Sequence, residues 1–177
     1  MRLSGIAQES FVDGPGLRYV IFVQGCPHQC PNCQNPETWD ANAGKEFSVR
    51  QVARMLRQHK KRKRGITFSG GEPFAQAGEL ADVATAARQL GWDVVTYTGF
   101  TYEQLIESND SGIVALLSAS DILIDGKYVH ELQSLSLKFR GSSNQRVIDM
   151  VETLKNGRVV LWEENRSQAI TPLPRKA

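Results

Sequence analysis

Three cysteines fall between positions 26 and 33, in the run Cys26-Pro27-His28-Gln29-Cys30-Pro31-Asn32-Cys33, and the chain contains no others. The CxxxCxxC spacing lets one short loop aim three thiolates at a single point, with Gly25 ahead of them able to take a backbone conformation closed to other residues. Three soft sulfur ligands suit zinc or an iron-sulfur cluster. Structural zinc takes four closed ligands, so a zinc site here would recruit His28, or the distant His59 or His130. Taken by itself, His28 reads as a solvated loop residue rather than a ligand. A four-iron cluster on three cysteines has one iron without a protein ligand, and an open metal position is where chemistry happens. An odd, crowded set of thiols also points to metal rather than disulfides in a reducing compartment.

Two other sets of residues could meet a ligand. Gly70 and Gly71 follow the apolar run Gly65-Ile66-Thr67-Phe68, and without side chains their backbone groups can approach a ligand closely and hydrogen-bond it. A plain strand-to-helix turn is the bland alternative, disfavoured by Glu72-Pro73 and the upstream cysteines. Asp125 and Lys127 follow Ile122-Leu123-Ile124, and alternation puts both on one side if the strand continues through them. There they could hold opposite charges of one zwitterion, although a surface ion pair fits the same two residues. The basic run from His59 to Arg64 reads as a solvated helix end, its cations favoured by the helix dipole, rather than as a nucleic-acid signal.

The elements that must position these residues are legible as alternating strands and helices. Apolar runs at Arg18-Tyr19-Val20-Ile21-Phe22-Val23, Gly65–Phe68, Asp93–Thr96, Asp121–Ile124 and Arg158–Trp162 predict strands, mostly parallel and covered on both faces. Ser48 with Gln51, and Thr101 with Gln104, have the spacing of capping boxes. Val49, Val52, Ala53 and Leu56 make one helical face; Leu80, Val83, Ala84, Ala87 and Leu90 make a second, ended by Gly91. Val147, Val151 and Leu154 suggest a third that stops near Gly157. These stripes are read as ordinary core. Polar motifs at the carboxyl ends of parallel strands suit a barrel-type sheet, and 177 residues are few for eight repeats. The expectation is an α/β fold with a partial, open (β/α) barrel, one domain over 1–177, with 157–177 as a C-terminal extension.

Composition excludes little beyond this. A net charge of +2 from 21 basic and 19 acidic side chains argues for no nucleic-acid partner and no membrane partner. No stretch is apolar enough to span a bilayer and the N-terminus lacks a secretory h-region, so a cytoplasmic location is expected.

At this point the chain resembles a known family. CxxxCxxC after the first apolar run is the signature of radical S-adenosylmethionine enzymes. Together with Asp13-Gly14-Pro15-Gly16-Leu17-Arg18, Asn35-Pro36-Glu37-Thr38-Trp39 and Ser69-Gly70-Gly71-Glu72-Pro73 it looks like a glycyl-radical-enzyme activase. Tyr97-Thr98-Gly99, Asp125-Gly126-Lys127 and the run from Phe139 to Arg146 are similar to activators of anaerobic ribonucleotide reductase. The resemblance runs from about Asp13 to Asp149, and the tail after Gly157 matches no motif.

The resemblance implies a radical-SAM-type barrel carrying a [4Fe-4S] cluster on Cys26, Cys30 and Cys33, with S-adenosyl-L-methionine chelating the open iron. It implies cofactor contacts from Asn32, Cys33, Gln34, Gly70, Gly71, Glu72, Thr98, Asp125, Lys127 and Arg140. Asn32 departs from the family pattern, since many radical enzymes carry an aromatic before the third cysteine. The implied reaction is reductive cleavage of the sulfonium and hydrogen abstraction from a glycine of the partner, the glycyl radical subunit of anaerobic ribonucleotide reductase. A one-electron donor such as flavodoxin is implied as well. Pyruvate formate-lyase is the alternative substrate enzyme; a small iron-sulfur electron carrier and a zinc-stabilised module are the alternatives from other classes.

Overall fold

Apolar runs without a polar break become the middle of a sheet, because each face must be covered. The computed structural model describes residues 1–59 and 64–163. In it β1 (Arg2–Ser10) pairs antiparallel with β2 (Arg18–Val23) and with the two-residue β3 (Lys45–Glu46). Next to β2 come the parallel strands β4 (Gly65–Gly70), β5 (Asp93–Tyr97) and β6 (Ile122–Asp125), and then the antiparallel β7 (Arg146–Asp149). The order β3-β1-β2-β4-β5-β6-β7 has two different edges, so the sheet is open, as expected of a partial barrel.

Alternation along the strands assigns the two faces. Ile21, Val23, Ile66, Phe68, Val94 and Leu123 belong to the large core, packed with residues of the helices α1 (Val49–Gln58), α2 (Ala77–Arg88), α3 (Tyr102–Glu107) and α4 (Ser111–Ala119). Val95, Ile122 and Ile124 belong to a small cluster on the opposite face, with Tyr97, Phe139, Val147 and Trp162 against it. Helices therefore cover one face, while the other receives the Asp13–Gly16 loop, where Thr67 Oγ1 donates to the Asp13 carbonyl at 2.8 Å. Arg18 lies fully buried there, bonded to Thr67 Oγ1, the carbonyls of Pro15 and Ile66, and the Asp93 carboxylate.

Both capping boxes form as the spacing predicts. The third helical stripe is displaced: Val147 lies in β7, and α5 (Met150–Asn156) buries Met150 and Thr153 while Val151 and Leu154 stay exposed. Asp149 caps α5 by accepting from the Glu152 N–H at 3.0 Å, which rotates the buried face by one residue, and Gly157 at φ +64° ends it as expected. The run expected as a strand over 158–162 forms one bridge, Leu161 to Ile148, with flanking hydrogen bonds to Asp149 and Val147. Of the basic run, His59 closes α1 and Arg64 pairs with Asp93 at 2.9 Å; 60–63, like 164–177 of the C-terminal extension, lie outside the described residues.

Candidate functional site

The carboxyl ends of β2, β4 and β5 open onto one cavity of about 500 Å³, within the usual size of a small-molecule pocket. The cysteine loop leaves β2 through Gly25, whose φ of +95° turns the chain out of the sheet. Its stem is fixed on both sides. Gly25 and Cys26 donate N–H groups to the carbonyls of Thr38 and Trp39 at 2.8 and 3.2 Å, and the Gly25 carbonyl accepts from the Glu72 N–H at 2.8 Å. Two left-handed residues then tighten the loop, Gln29 at φ +45° and Asn32 at φ +55°, and Cys33 N–H reaches the Cys30 carbonyl at 3.1 Å. Asparagine is among the residues that tolerate this conformation best, which gives Asn32 a backbone reason in place of the aromatic. It is exposed and stands outside the cavity wall.

Cys26, Cys30 and Cys33 are free thiols, each half-buried, and all three line the cavity. Burial pushes the Cys26 thiol up from its ordinary value, while backbone N–H groups of His28 and Gln29 act in the opposite sense. Asn35 donates its N–H to Cys33 Sγ at 3.4 Å. Such donors favour thiolate sulfur and help set a cluster's potential. Among the described residues no three His, Cys, Asp or Glu side chains converge as on one metal ion. The thiols thus do not meet at the single point that the spacing suggested, a condition that zinc imposes. A cluster does not impose it, because each ligand binds a different iron. Sulfur-only donors, open cavity space beside them and amide groups aimed at sulfur fit a cluster of this kind.

Gly70 and Gly71 line the same cavity at the end of β4. Gly70 has φ +95°, and a Cβ there would press on the backbone of Phe22 and Val23. A Cβ on Gly71 would run into the carbonyl of Gly25. The pair is therefore needed for β4 to close against the stem of the cysteine loop, as well as for access to the cavity. Gln34, Thr98 and Arg140 also stand in the wall, with Arg140 Nη1 donating to the Gln145 carbonyl at 2.7 Å.

Besides Asn32, three expected contacts lie outside the cavity wall. Glu72 is fully buried; its carboxylate accepts from the N–H groups of Phe74 and Gly99 and lies 2.8 Å from His28 Nε2, leaving it no exposure to the cavity. The β6 strand ends at Asp125, so the assumed alternation through Lys127 fails at Gly126, which has φ +98°. Asp125 is 1% exposed and holds Arg146 through Nε and Nη2 together with the Tyr102 N–H. Lys127 is exposed, and neither residue lines the cavity. His28 is no solvated loop residue either, since its side chain is only 6% exposed.

Tyr97, quoted in the sequence only as part of the Tyr97-Thr98-Gly99 motif and given no place in the site, ends β5 in the cavity wall and donates its hydroxyl to the Phe139 carbonyl at 2.6 Å. Burial raises the Tyr97 phenol far above its ordinary value, so it stays neutral. The same strand-end rule that selected Gly70 would have found it. Val12 and Leu135, both exposed, also line the cavity and had no polar signature to mark them.

Comparison with known proteins points the same way. Residues 12–148 match the family model described as a 4Fe-4S single cluster domain. The anaerobic ribonucleoside-triphosphate reductase-activating protein of Escherichia coli (strain K12) is 33% identical over 144 residues, covering 77% of this chain and 90% of that one. Its counterpart from Enterobacteria phage T4 is 34% identical over 142 residues, covering 77% and 86%. The pyruvate formate-lyase-activating enzyme of Clostridium pasteurianum is 29% identical over 169 residues, covering 91% of this chain and 66% of that one.

Proposed function

The chain belongs to the family of anaerobic ribonucleoside-triphosphate reductase-activating proteins, and from that membership we infer that it installs a glycyl radical on an anaerobic ribonucleotide reductase. The observation that carries this reading is the set of three free cysteines, the chain's full complement, on one loop in the wall of a cavity at the carboxyl ends of parallel strands. Cys26, Cys30 and Cys33 would hold a four-iron cluster with one iron open. When bound, that cluster and S-adenosylmethionine supply one-electron reductive cleavage and hydrogen abstraction from a glycine Cα, chemistry that is the cofactors' own.

The protein's part is to hold and to exclude. The N–H groups directed at Cys26 and Cys33 stabilise thiolate sulfur. Gly70 and Gly71 keep the wall free of side chains beside the cysteines, so backbone groups can bind the polar end of the cofactor. Gln34, Thr98 and Arg140 offer further polar atoms in the wall, while Phe22, Leu135 and Leu137 give it apolar surface. A one-electron donor such as flavodoxin, and a cytoplasmic setting that keeps the three thiols reduced, complete the reading.

The test is anaerobic reconstitution with iron and sulfide followed by reduction in the presence of S-adenosylmethionine. This reading expects about four irons per chain, visible absorption, and release of methionine and 5′-deoxyadenosine. Cluster assembly without cleavage would make the chain an electron carrier instead, and zinc without visible absorption would make it a binding module.

A further inference from the structure

His28 occupies the middle of the cysteine loop, and its surroundings are more specific than packing requires. The imidazole Nε2 lies 2.8 Å from Glu72 Oε2, with the two side chains 6% and 0% exposed. The ring meets Phe100 edge-on with centroids 4.4 Å apart. It fills the space beside Gly99, where any Cβ would strike the ring. Glu72 completes the connection. Its Oε2 also accepts from Gly99 N–H at 2.8 Å, its Oε1 from Phe74 N–H at 2.9 Å, and its own N–H donates to Gly25 O at 2.8 Å. One buried carboxylate thus ties together the cysteine loop, the end of β4 and the segment that follows β5. With two backbone donors already aimed at it, the carboxylate acts as acceptor and Nε2 as donor.

We propose that His28 is a positioning residue: through Glu72 it holds the cysteine loop in register with the strand ends that carry Gly70, Gly71 and Thr98. The inference rests on the reading of the three cysteines as cluster ligands. It assigns His28 no contact with metal and no part in proton transfer. Backbone hydrogen bonds to neighbouring segments fix the loop at its stem, Gly25 and Cys26; His28 is the side chain that fixes its middle. Without that tie, the cluster can still assemble on three thiols, but its distance from the wall that binds the cofactor is no longer set. Groups that orient ligands in this way are typically worth about 10- to 100-fold in affinity or activity.

Two variants separate positioning from packing. The amide nitrogen of His28→Gln reaches about as far as imidazole Nε2, while that of His28→Asn is too short to meet Glu72, and both are small enough for the space. On metal-free protein, the rate of thiol alkylation should rise by about 10-fold in His28→Asn, as loss of one hydrogen bond to a charged group predicts, and return toward parental in His28→Gln. On reconstituted protein, both variants should bind iron as the parent does. His28→Asn should bind S-adenosylmethionine about 10- to 100-fold more weakly and lose the change that the cofactor makes in the reduced cluster's electron paramagnetic resonance spectrum, and His28→Gln should recover both. Identical behaviour of the two variants, or parental rates and affinity in His28→Asn, would overturn the proposal. A parent chain that takes up no iron would sink the cluster reading alone, since the alkylation rates on metal-free protein still judge the clamp.

Discussion

Gly71 sits where the end of β4 meets the stem of the cysteine loop, its N–H bonded to the Val23 carbonyl at 2.9 Å and its Cα facing Gly25. A side chain there does more than obstruct a ligand. Gly71→Ala must displace Gly25 and with it Cys26, so the variant should lose both cluster retention and cofactor affinity, together with thermal stability of the metal-free chain. An alanine variant with parental iron content and melting temperature would contradict that packing. For the cysteines the expectation is simpler: Cys30→Ala should leave the fold intact, lower iron content and abolish cofactor cleavage. A variant with full iron and full cleavage would remove Cys30 from the ligand set. The cysteines were legible because an odd set of three thiols at that spacing has few uses other than holding metal. Glu72 and His28 were legible as motif residues but not in role. They lie 44 positions apart in the chain, and nothing in the order of the residues announces that the two side chains meet. Whether the carboxylate faces the cavity or the imidazole is decided by packing, with His28 seated against Gly99 and Phe100.

At the scale of elements, β6, β7 and α3 are joined through Arg146. Its guanidinium bonds the buried Asp125 and the half-exposed Glu103, whose Oε2 it meets at 2.7 Å. Arg146→Leu leaves the buried Asp125 without its cation, bonded to the Tyr102 N–H, and should destabilise the metal-free chain by about 3 kcal/mol in chemical denaturation. A loss near zero would mean that Asp125 finds another partner. The hydrogen bond from Arg146 also holds the Glu103 carboxyl well below the usual carboxylate range, at about 2. A carboxyl depressed in the folded state adds stability above its unfolded value and gives it up as pH falls through the folded one. Glu103→Gln should therefore flatten the acid limb of stability between the ordinary carboxylate range and about pH 2, by a small amount because solvent screens so exposed a pair. An unchanged acid limb would count against the pair. Elements with apolar runs or capping boxes were mostly legible in the sequence, the run over 158–162, which forms one bridge in place of a strand, being an exception. β1 and β7 were not, because a half-buried antiparallel strand carries mixed residues whose pairing depends on a distant partner.

At the scale of the whole molecule, helices cover one face of an open sheet and leave the other to loops, and loop residues Val12 and Asp13 and the segment around Phe139 and Arg140 line part of the cavity. No helix among the described residues is long and apolar enough to cross a membrane. On the proposed function, the substrate is a glycine carried by a partner protein, and which partner receives the radical decides between the readings. The measurement that tests this most directly is electron paramagnetic resonance on the reconstituted, reduced chain with S-adenosylmethionine, mixed in turn with the anaerobic ribonucleotide reductase and with the pyruvate formate-lyase of its own source. A glycyl-radical doublet on the reductase is the predicted result; a doublet on the formate-lyase and none on the reductase would contradict it.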